Sequence, residues 1–270
     1  MTGRIIEAPP RFGRSLTPAM ELGVHGRCEL VLVTDVGPDP DDAKALLVAA
    51  IAHRQRPELV RLRAVVANGG AQAHERARLA CRLLDHVSVD DVPVGAGAQG
   101  TPYAPQPHEY ALAGLERAPP RQIRDGGALL REVVADAQPA SLTFVCISSL
   151  RDLADLIDDD EDAFKAKTRA VAIQAGLEPD ASAPSGWRPD SSTNNGFDMP
   201  AAERVFAFCF AHGVPMVVTS RHAVPMLPMQ LAKSFATRTN CPVSDARRKR
   251  VASCATCLLY TSPSPRDGLL

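Results

Sequence analysis

Four aspartates lie within eight residues near the start of the chain, at Asp35, Asp39, Asp41 and Asp42. Carboxylates this close repel one another unless a cation neutralises them, and calcium accepts several oxygen ligands in a flexible geometry. One or two of these acids could instead oppose the positive end of a helix dipole. Four acids in one short segment favour a metal site, and calcium is the ion that we expect there.

The segments on either side of the aspartates predict a strand followed by a helix. Residues 30–34 form a short apolar run rich in β-branched side chains, which is typical of a buried strand. Residues 41–52 are mostly good helix formers. The aspartates would then lie at the carboxyl end of the first strand, where open α/β sheets bind their ligands.

The rest of the chain continues the alternation of strands and helices. The further predicted strands are 61–67, 92–95, 142–147, 169–174 and 214–219. The further predicted helices are 73–86, 126–137, 150–158 and 200–212. The stretches 99–121 and 178–196 are rich in turn formers and predict loops. This order predicts an α/β fold with an open, mostly parallel sheet and helices on both faces.

Length, composition and charge narrow the class of protein. The chain has 270 residues, 45% of them hydrophobic, and a net charge of -1, so it suits one sizeable core and has no strong charge bias. We therefore expect no nucleic acid and no membrane as partner. The first residues lack the apolar core of a signal peptide, which predicts a cytoplasmic protein.

Three parts are expected along the chain. Residues 1–28 predict a disordered extension, and residues 29–256 an α/β domain that is incomplete at its C-terminus. Residues 257–267, CLLYTSPSPRD, resemble the translation of a sequencing-library adapter. We therefore expect 257–270 to be an artefactual tail and leave it out of the fold prediction.

The aspartate segment resembles the signature of the inosine-uridine-preferring nucleoside hydrolases. Four further segments are similar to family segments in the same order, so the resemblance spans residues 29–222. They are 64–70, 142–150, 169–176 and 194–202. The resemblance implies a calcium-dependent enzyme that hydrolyses the N-glycosidic bond of ribonucleosides, releasing base and ribose, as in purine or pyrimidine salvage. It also implies a small-molecule nucleoside substrate and a homo-oligomer.

The resemblance carries over to individual residues. The implied metal ligands are Asp35, Asp39, Asp42 and the backbone carbonyl of Ile147. The implied ribose-binding residues are Asp41, Asn68 and Asn194. The expected catalytic residues are Asp39, as the base that takes a proton from the attacking water, and Asp35.

The sequence departs from the family pattern at three points. The family reads Asp-x-Asp-Pro-Gly-x-Asp-Asp, but here Gly37 stands at the second aspartate and Asp39 follows two residues later. Ser192 replaces an acidic residue near the sugar-binding asparagine. The late His-Asp pair of the family would lie beyond the suspected adapter junction. These departures keep open the alternative of a non-catalytic protein that binds a nucleoside or sugar.

Three other features of the sequence are candidate binding sites. The GxGxxG pattern at residues 95–100 precedes a proline-rich stretch that cannot open a helix, so we do not interpret it as a dinucleotide site. Trp187 could stack on a nucleobase or pack on the surface. His222 could protonate the leaving base, but a structural histidine is the favoured interpretation.

Overall fold

The computed structural model describes residues 27–37, 40–100 and 121–223. The strands of its main sheet are β1 (Cys28–Thr34), β2 (Val60–Ala67), β3 (Val94–Ala96), β4 (Ile123–Asp125), β5 (Leu142–Cys146), β6 (Thr168–Ile173) and β9 (Met216–Val218). Strands β7 (Leu177–Pro179) and β8 (Trp187–Pro189) form a separate antiparallel pair. The helices described are α1 (Pro40–Gln55), α2 (Ala73–His86), α3 (Gly126–Asp136), α4 (Arg151–Asp159), α5 (Glu161–Lys167), α6 (Thr193–Phe197) and α7 (Met199–His212).

The main sheet is parallel throughout the part of the chain that the structure describes. Its strand order is β4-β3-β2-β1-β5-β6-β9, so β1 lies in the middle and the chain builds one half of the sheet before the other. Each parallel connection needs a crossover. Helices supply it in the connections that the structure describes in full or in most part: α1 between β1 and β2, α2 between β2 and β3, α4 and α5 between β5 and β6, and α6 and α7 between β6 and β9. The predicted α/β architecture is therefore confirmed.

Helices cover both faces of the sheet. Val31 and Val33 of β1 belong to a core that also contains apolar side chains of α3, α4, α5 and α7. Leu32, between them, points to the opposite face and packs with α1 and α2. Alternate side chains of a strand point to opposite faces, so a segment of a central strand that is buried on both sides is apolar at successive positions, as at Val31, Leu32 and Val33.

Side-chain caps set the beginnings of several helices. The Asp125 carboxylate accepts a hydrogen bond from the Ala128 backbone N–H at 2.7 Å, which starts α3. The Asp198 carboxylate does the same for the Ala201 N–H at 3.1 Å, at the start of α7. Gly213 follows the last residue of α7 and caps the helix, and its φ of 66° lies in the left-handed region that suits glycine.

Several short elements were not predicted. Helix α5 has only seven residues and one buried side chain, Phe164, so it has too little periodicity to be detected. The strands β4, β7 and β8 have three residues each and depend on their pairing partners. The hairpin β7–β8 and helix α6 overlap the predicted loop 178–196 and extend one residue beyond it at each end, so the prediction of a loop for that stretch was wrong.

Two of the expected chain parts fall mostly outside this structure. The predicted extension 1–28, apart from its last two residues, and the predicted tail 257–270 lie outside the described residues. Cys28 already belongs to β1. Among the helices of the described ranges, none is both long enough and apolar enough to cross a membrane.

Candidate functional site

The strand ends align the segments that carry the predicted site residues. Thr34 of β1 pairs with Ala67 of β2, and Val33 pairs with Cys146 of β5. The next residues continue the ladder: the Asn68 N–H donates to the Thr34 carbonyl at 2.9 Å, and the Ile147 N–H donates to the Val33 carbonyl at 2.9 Å. Asp35, Asn68 and Ile147 therefore follow neighbouring strands at one edge of the sheet.

The acidic turn after β1 is held together by Thr34. Its hydroxyl donates to the Asp42 carboxylate at 2.6 Å and accepts from the Val36 backbone N–H at 3.2 Å. Asp42, in the first turn of α1, is only 7% exposed, whereas Asp41 is exposed and Asp35 half-buried. Asp39, the predicted base and metal ligand, lies outside the described residues.

The carboxylates of this turn repel one another. Burial raises the pKa of Asp42, and repulsion from Asp35 and then Asp41 raises it further; the Thr34 hydrogen bond and the Arg76 charge act in the opposite direction. The available donors are carboxylate and carbonyl oxygens, the ligands that a hard divalent cation prefers. Among the described residues, which leave out Asp39, no group of three His, Cys, Asp or Glu side chains is arranged to hold a metal ion.

A buried arginine, which the sequence analysis did not single out, clamps the acidic turn. Arg76 of α2 is 4% exposed, and its guanidinium donates to the backbone carbonyls of Asp35, of Val36 at 3.2 Å and of Gly69 at 3.3 Å. It lies on the same buried helix face as Ala73. The signal in the sequence is a charged residue on the apolar face of an amphipathic helix, because Arg76 stands three residues after Ala73.

Asn68 is fully buried at the same edge. Its side-chain amide nitrogen donates to the Ser149 carbonyl at 3.1 Å and to the Asp152 carboxylate at 2.7 Å. Its Oδ1 atom is buried and has no hydrogen-bond partner among the described residues. Gly69 has a φ of 89°, and a Cβ added to it would lie 3.4 Å from the Asp35 Cβ, so the turn after β2 packs against the acidic turn.

Asn194 lies on the other side of β5, on the short helix α6. Its amide nitrogen donates to the Ile147 carbonyl at 3.2 Å and to the Gln174 carbonyl at 2.8 Å. The structure thus brings two of the predicted site residues, Asn194 and Ile147, into direct contact. A carbonyl oxygen has two lone pairs, so the Ile147 carbonyl keeps one acceptor position beyond this hydrogen bond.

The neighbouring Asn195 has a structural task. It is fully buried, and its amide nitrogen donates to the Gly176 carbonyl at 2.9 Å and to the Asp190 carbonyl at 3.1 Å. The Ser192 hydroxyl accepts from the Gly176 backbone N–H at 3.2 Å. These bonds fix the chain between β8 and α6, which positions Asn194 at the sheet edge.

The remaining candidates lie apart from these contacts. Trp187 belongs to β8 and is half-buried, which leaves both of its predicted roles open. His222 is exposed and follows the end of β9 by four residues, and its backbone N–H donates to the Ser220 hydroxyl at 3.3 Å.

The glycines of the GxGxxG segment serve close packing. A Cβ on Gly95 would lie 2.8 Å from the Gly126 Cα, and a Cβ on Gly126 would lie 2.7 Å from the Ala96 carbonyl oxygen. The first turn of α3 therefore contacts the β3 backbone directly. No helix begins within residues 96–100, which agrees with the expectation that the GxGxxG pattern does not open a helix here.

This packing gives a first prediction. Gly126→Ala should lower the free energy of unfolding by about 1–3 kcal/mol, because the added methyl group has no room against the β3 backbone. Gly127→Ala is the matched control: its Cβ would be 3.5 Å from the nearest atoms, and alanine favours a helix by about 1 kcal/mol over glycine. Urea unfolding of both variants measures the difference. Equal stability of the two would contradict the close packing.

Comparison with known proteins agrees with the fold and supplies the family. A model of the family described as "Inosine-uridine preferring nucleoside hydrolase" matches residues 30–260. A search of curated protein sequences found no match.

Several solved structures are similar. The type III effector protein XopQ, complexed with adenosine diphosphate ribose, has a TM-score of 0.68 at 24% identity, over 87% of this chain and 68% of that one. The purine-preferring ribonucleoside hydrolase from Gardnerella vaginalis has a TM-score of 0.60 at 14% identity, over 86% and 75%. The inosine-uridine preferring nucleoside hydrolase from Bacillus anthracis has a TM-score of 0.61 at 15% identity, over 83% and 76%.

At these identities the structural likeness shows the fold alone, whereas the family model covers most of the chain and includes the segments at the sheet edge. The chain belongs to the inosine-uridine preferring nucleoside hydrolase family.

Proposed function

We propose that this chain binds ribonucleosides at the carboxyl edge of its sheet and hydrolyses their N-glycosidic bond with the help of calcium, releasing base and ribose for salvage. One observation carries the proposal. The carboxylates after β1, the Asn68 amide after β2 and the Ile147 carbonyl in contact with Asn194 all follow adjacent strand ends. This combination of oxygen ligands and amide groups suits a cation together with a sugar diol.

The oxygen donors fit a hard cation. Asp35, Asp42 and the Ile147 carbonyl would hold it together with Asp39. Burial and repulsion from Asp35 and Asp41 raise the pKa of Asp42, and a positive charge at this point would oppose both effects. A divalent ion bound there would lower the pKa of a water molecule and fix the orientation of the sugar hydroxyls.

The protein side chains would do the remaining chemistry. Asp39, or Asp35 if the Gly37 substitution has shifted this role, would accept the proton of the attacking water. Asp41 is exposed and would accept a hydrogen bond from a ribose hydroxyl. The unpartnered Oδ1 atom of Asn68 is a second acceptor, and Asn194 would hold the sugar from the β5–β6 side. Holding the reactants in this orientation contributes to the rate.

A second candidate function is binding without turnover. Gly37 stands where the family motif has an aspartate, and loss of a carboxylate there favours a protein that keeps the sugar site but lacks the base. The similar XopQ structure contains adenosine diphosphate ribose, so this ribose compound belongs among the ligands to be tested. A cytoplasmic location and a homo-oligomer stay predictions.

The test is ribose release from inosine, uridine and adenosine, measured with calcium and with a chelator. We expect release that needs calcium and that falls by about 10²- to 10⁴-fold in Asp35→Asn. Asp91→Asn is the control, because Asp91 is exposed, bonds His53 and precedes β3 at the opposite end of the sheet. Calcium-dependent binding of one of these nucleosides, or of adenosine diphosphate ribose, without release would favour the second candidate. Equal release by Asp35→Asn would contradict the assigned site.

A further inference from the structure

A buried carboxylate lies directly behind Asn68, on an element that the sequence analysis did not connect with the site. Asp152 is in the first turn of α4 and is 5% exposed. Its Oδ2 atom accepts from the Asn68 amide nitrogen at 2.7 Å, and its Oδ1 atom accepts from the Ala98 backbone N–H at 2.8 Å. Each oxygen of this carboxylate therefore meets a donor from the segment after a different strand, β2 or β3.

The surrounding backbone leaves room for this carboxylate. A Cβ on Gly97 would lie 2.6 Å from the Asp152 Oδ1 atom and 2.7 Å from Val66 Cγ1, so only glycine fits there. The Gly97 N–H continues the ladder by donating to the Ala67 carbonyl at 2.8 Å. The glycine-rich segment therefore packs closely on α3 and also leaves space for the Asp152 carboxylate at the strand ends.

The bonds to Asn68 use both of its amide protons. One points to the Asp152 carboxylate and the other to the Ser149 carbonyl, so the amide nitrogen is held on the α4 side. The Oδ1 atom must then point the other way, and it is buried without a hydrogen-bond partner among the described residues. An unsatisfied buried acceptor is unfavourable unless a ligand or water donates to it.

We propose that Asp152 is a positioning residue that fixes the orientation of the Asn68 amide, so that its Oδ1 atom is presented as an acceptor for a substrate hydroxyl. The part of this inference that concerns substrate rests on the function proposed above, whereas the orientation of Asn68 does not. Burial raises the pKa of Asp152, while the hydrogen bonds from Asn68 and Ala98 lower it.

An asparagine cannot replace this aspartate. Two N–H donors converge on the two side-chain oxygens of residue 152, and an amide offers only one acceptor. In Asp152→Asn the new NH₂ group must face either the Ala98 N–H or the Asn68 amide nitrogen. If it faces the Asn68 nitrogen, two NH₂ groups oppose each other, and the Asn68 amide is driven to flip by 180°. The flip would place the Asn68 nitrogen where its Oδ1 atom lies in the wild type.

The test is the side-chain amide signal of Asn68 in the free protein, observed by ¹⁵N NMR and assigned by its loss in Asn68→Ser. In the wild type both protons should be protected from exchange with water. In Asp152→Asn we expect the signal to shift and the exchange to accelerate on the order of tenfold or more. Asp155→Asn is the control, because Asp155 is on the same helix but pairs with Arg151 at the surface.

Activity provides a second readout. If ribose release is observed, Asp152→Asn should lower kcat/KM on the order of tenfold or more, while Asp155→Asn should leave it unchanged. Should Asp152→Asn not fold, Asp152→Ser removes the converging oxygens without introducing a donor–donor clash, and the same NMR change is expected. An unprotected Asn68 amide in the wild type, or an unchanged signal in the folded variant, would overturn the inference. A changed signal in a protein without hydrolase activity would support it and count against the proposed function instead.

Discussion

Asp42→Asn is expected to weaken calcium binding by at least about 100-fold, equivalent to about 2.7 kcal/mol, and to abolish calcium-dependent ribose release. The substitution removes one of the charged ligands of the proposed site. It keeps the shape of the side chain and one oxygen that can accept the hydrogen bond from the Thr34 hydroxyl, which lies 2.6 Å from the Asp42 carboxylate in the wild type. Isothermal titration with calcium measures the affinity. Calcium binding of the same strength in the variant would contradict the role of Asp42.

The same variant should be at least as stable as the wild type when calcium is removed. The folded pKa of Asp42 is raised by burial and by Asp35 and Asp41, so at neutral pH its charge destabilises the fold. Asparagine carries no such charge. The stability gain should disappear in acid, below the ordinary pKa of an aspartate, because Asp42 is then protonated in both states. Thermal unfolding in chelator at neutral and acid pH checks the sign, and a variant less stable than the wild type at neutral pH would contradict this account.

Arg76→Met is expected to lower the free energy of unfolding by about 3 kcal/mol. The guanidinium donates to the carbonyls of Asp35, Val36 and Gly69, and a methionine leaves these buried acceptors without that donor. The stability of Arg76→Lys should lie between those of the wild type and Arg76→Met. A lysine keeps the charge but lacks the planar guanidinium, which can donate to several carbonyls at once. Urea unfolding in chelator measures all three proteins.

The control for Arg76 lies two residues further along the same helix. Arg78 is exposed and pairs with Glu75 at 3.2 Å, so Arg78→Met should change the stability by no more than about 0.5 kcal/mol. If Arg76→Met were as mild as Arg78→Met, the clamp on the acidic turn would be of little importance. A loss in Arg76→Met that calcium partly restores would indicate that cation and arginine stabilise the same turn.

The elements with clear periodicity could be predicted from the sequence. Helix α2 (Ala73–His86) was predicted with its observed bounds because its apolar residues recur at helical spacing. Strand β2 differs by one residue from its prediction. By contrast, β4 (Ile123–Asp125) has no pattern of its own and is a strand only because it pairs with β3. Such elements depend on tertiary contacts that no local pattern reports.

The site was predictable to the extent that its residues follow strand ends. Asn68 and Ile147 could be expected near Asp35, since parallel strands end at one edge of a sheet, and their backbone N–H groups bond the last residues of β1. Their roles at a site stay predictions. Asp152 and Arg76 could not be found in the same way. They come from helices, and most of their partners, such as Asp35 for Arg76 and Asn68 for Asp152, are distant in the sequence. Their task follows from burial and hydrogen bonding, which only the fold reveals.

The central claim is that one cation and one ribose bind together at the carboxyl edge of the sheet. Its most direct test is a crystal structure with calcium and a C-nucleoside, whose carbon–carbon glycosidic bond resists hydrolysis. We predict a calcium ion in contact with Asp35, Asp42 and the Ile147 carbonyl, with the ribose hydroxyls beside it and within hydrogen-bond distance of Asn68 or Asn194. A cation bound elsewhere, or a nucleoside bound away from Asp35 and Asn68, would contradict the claim.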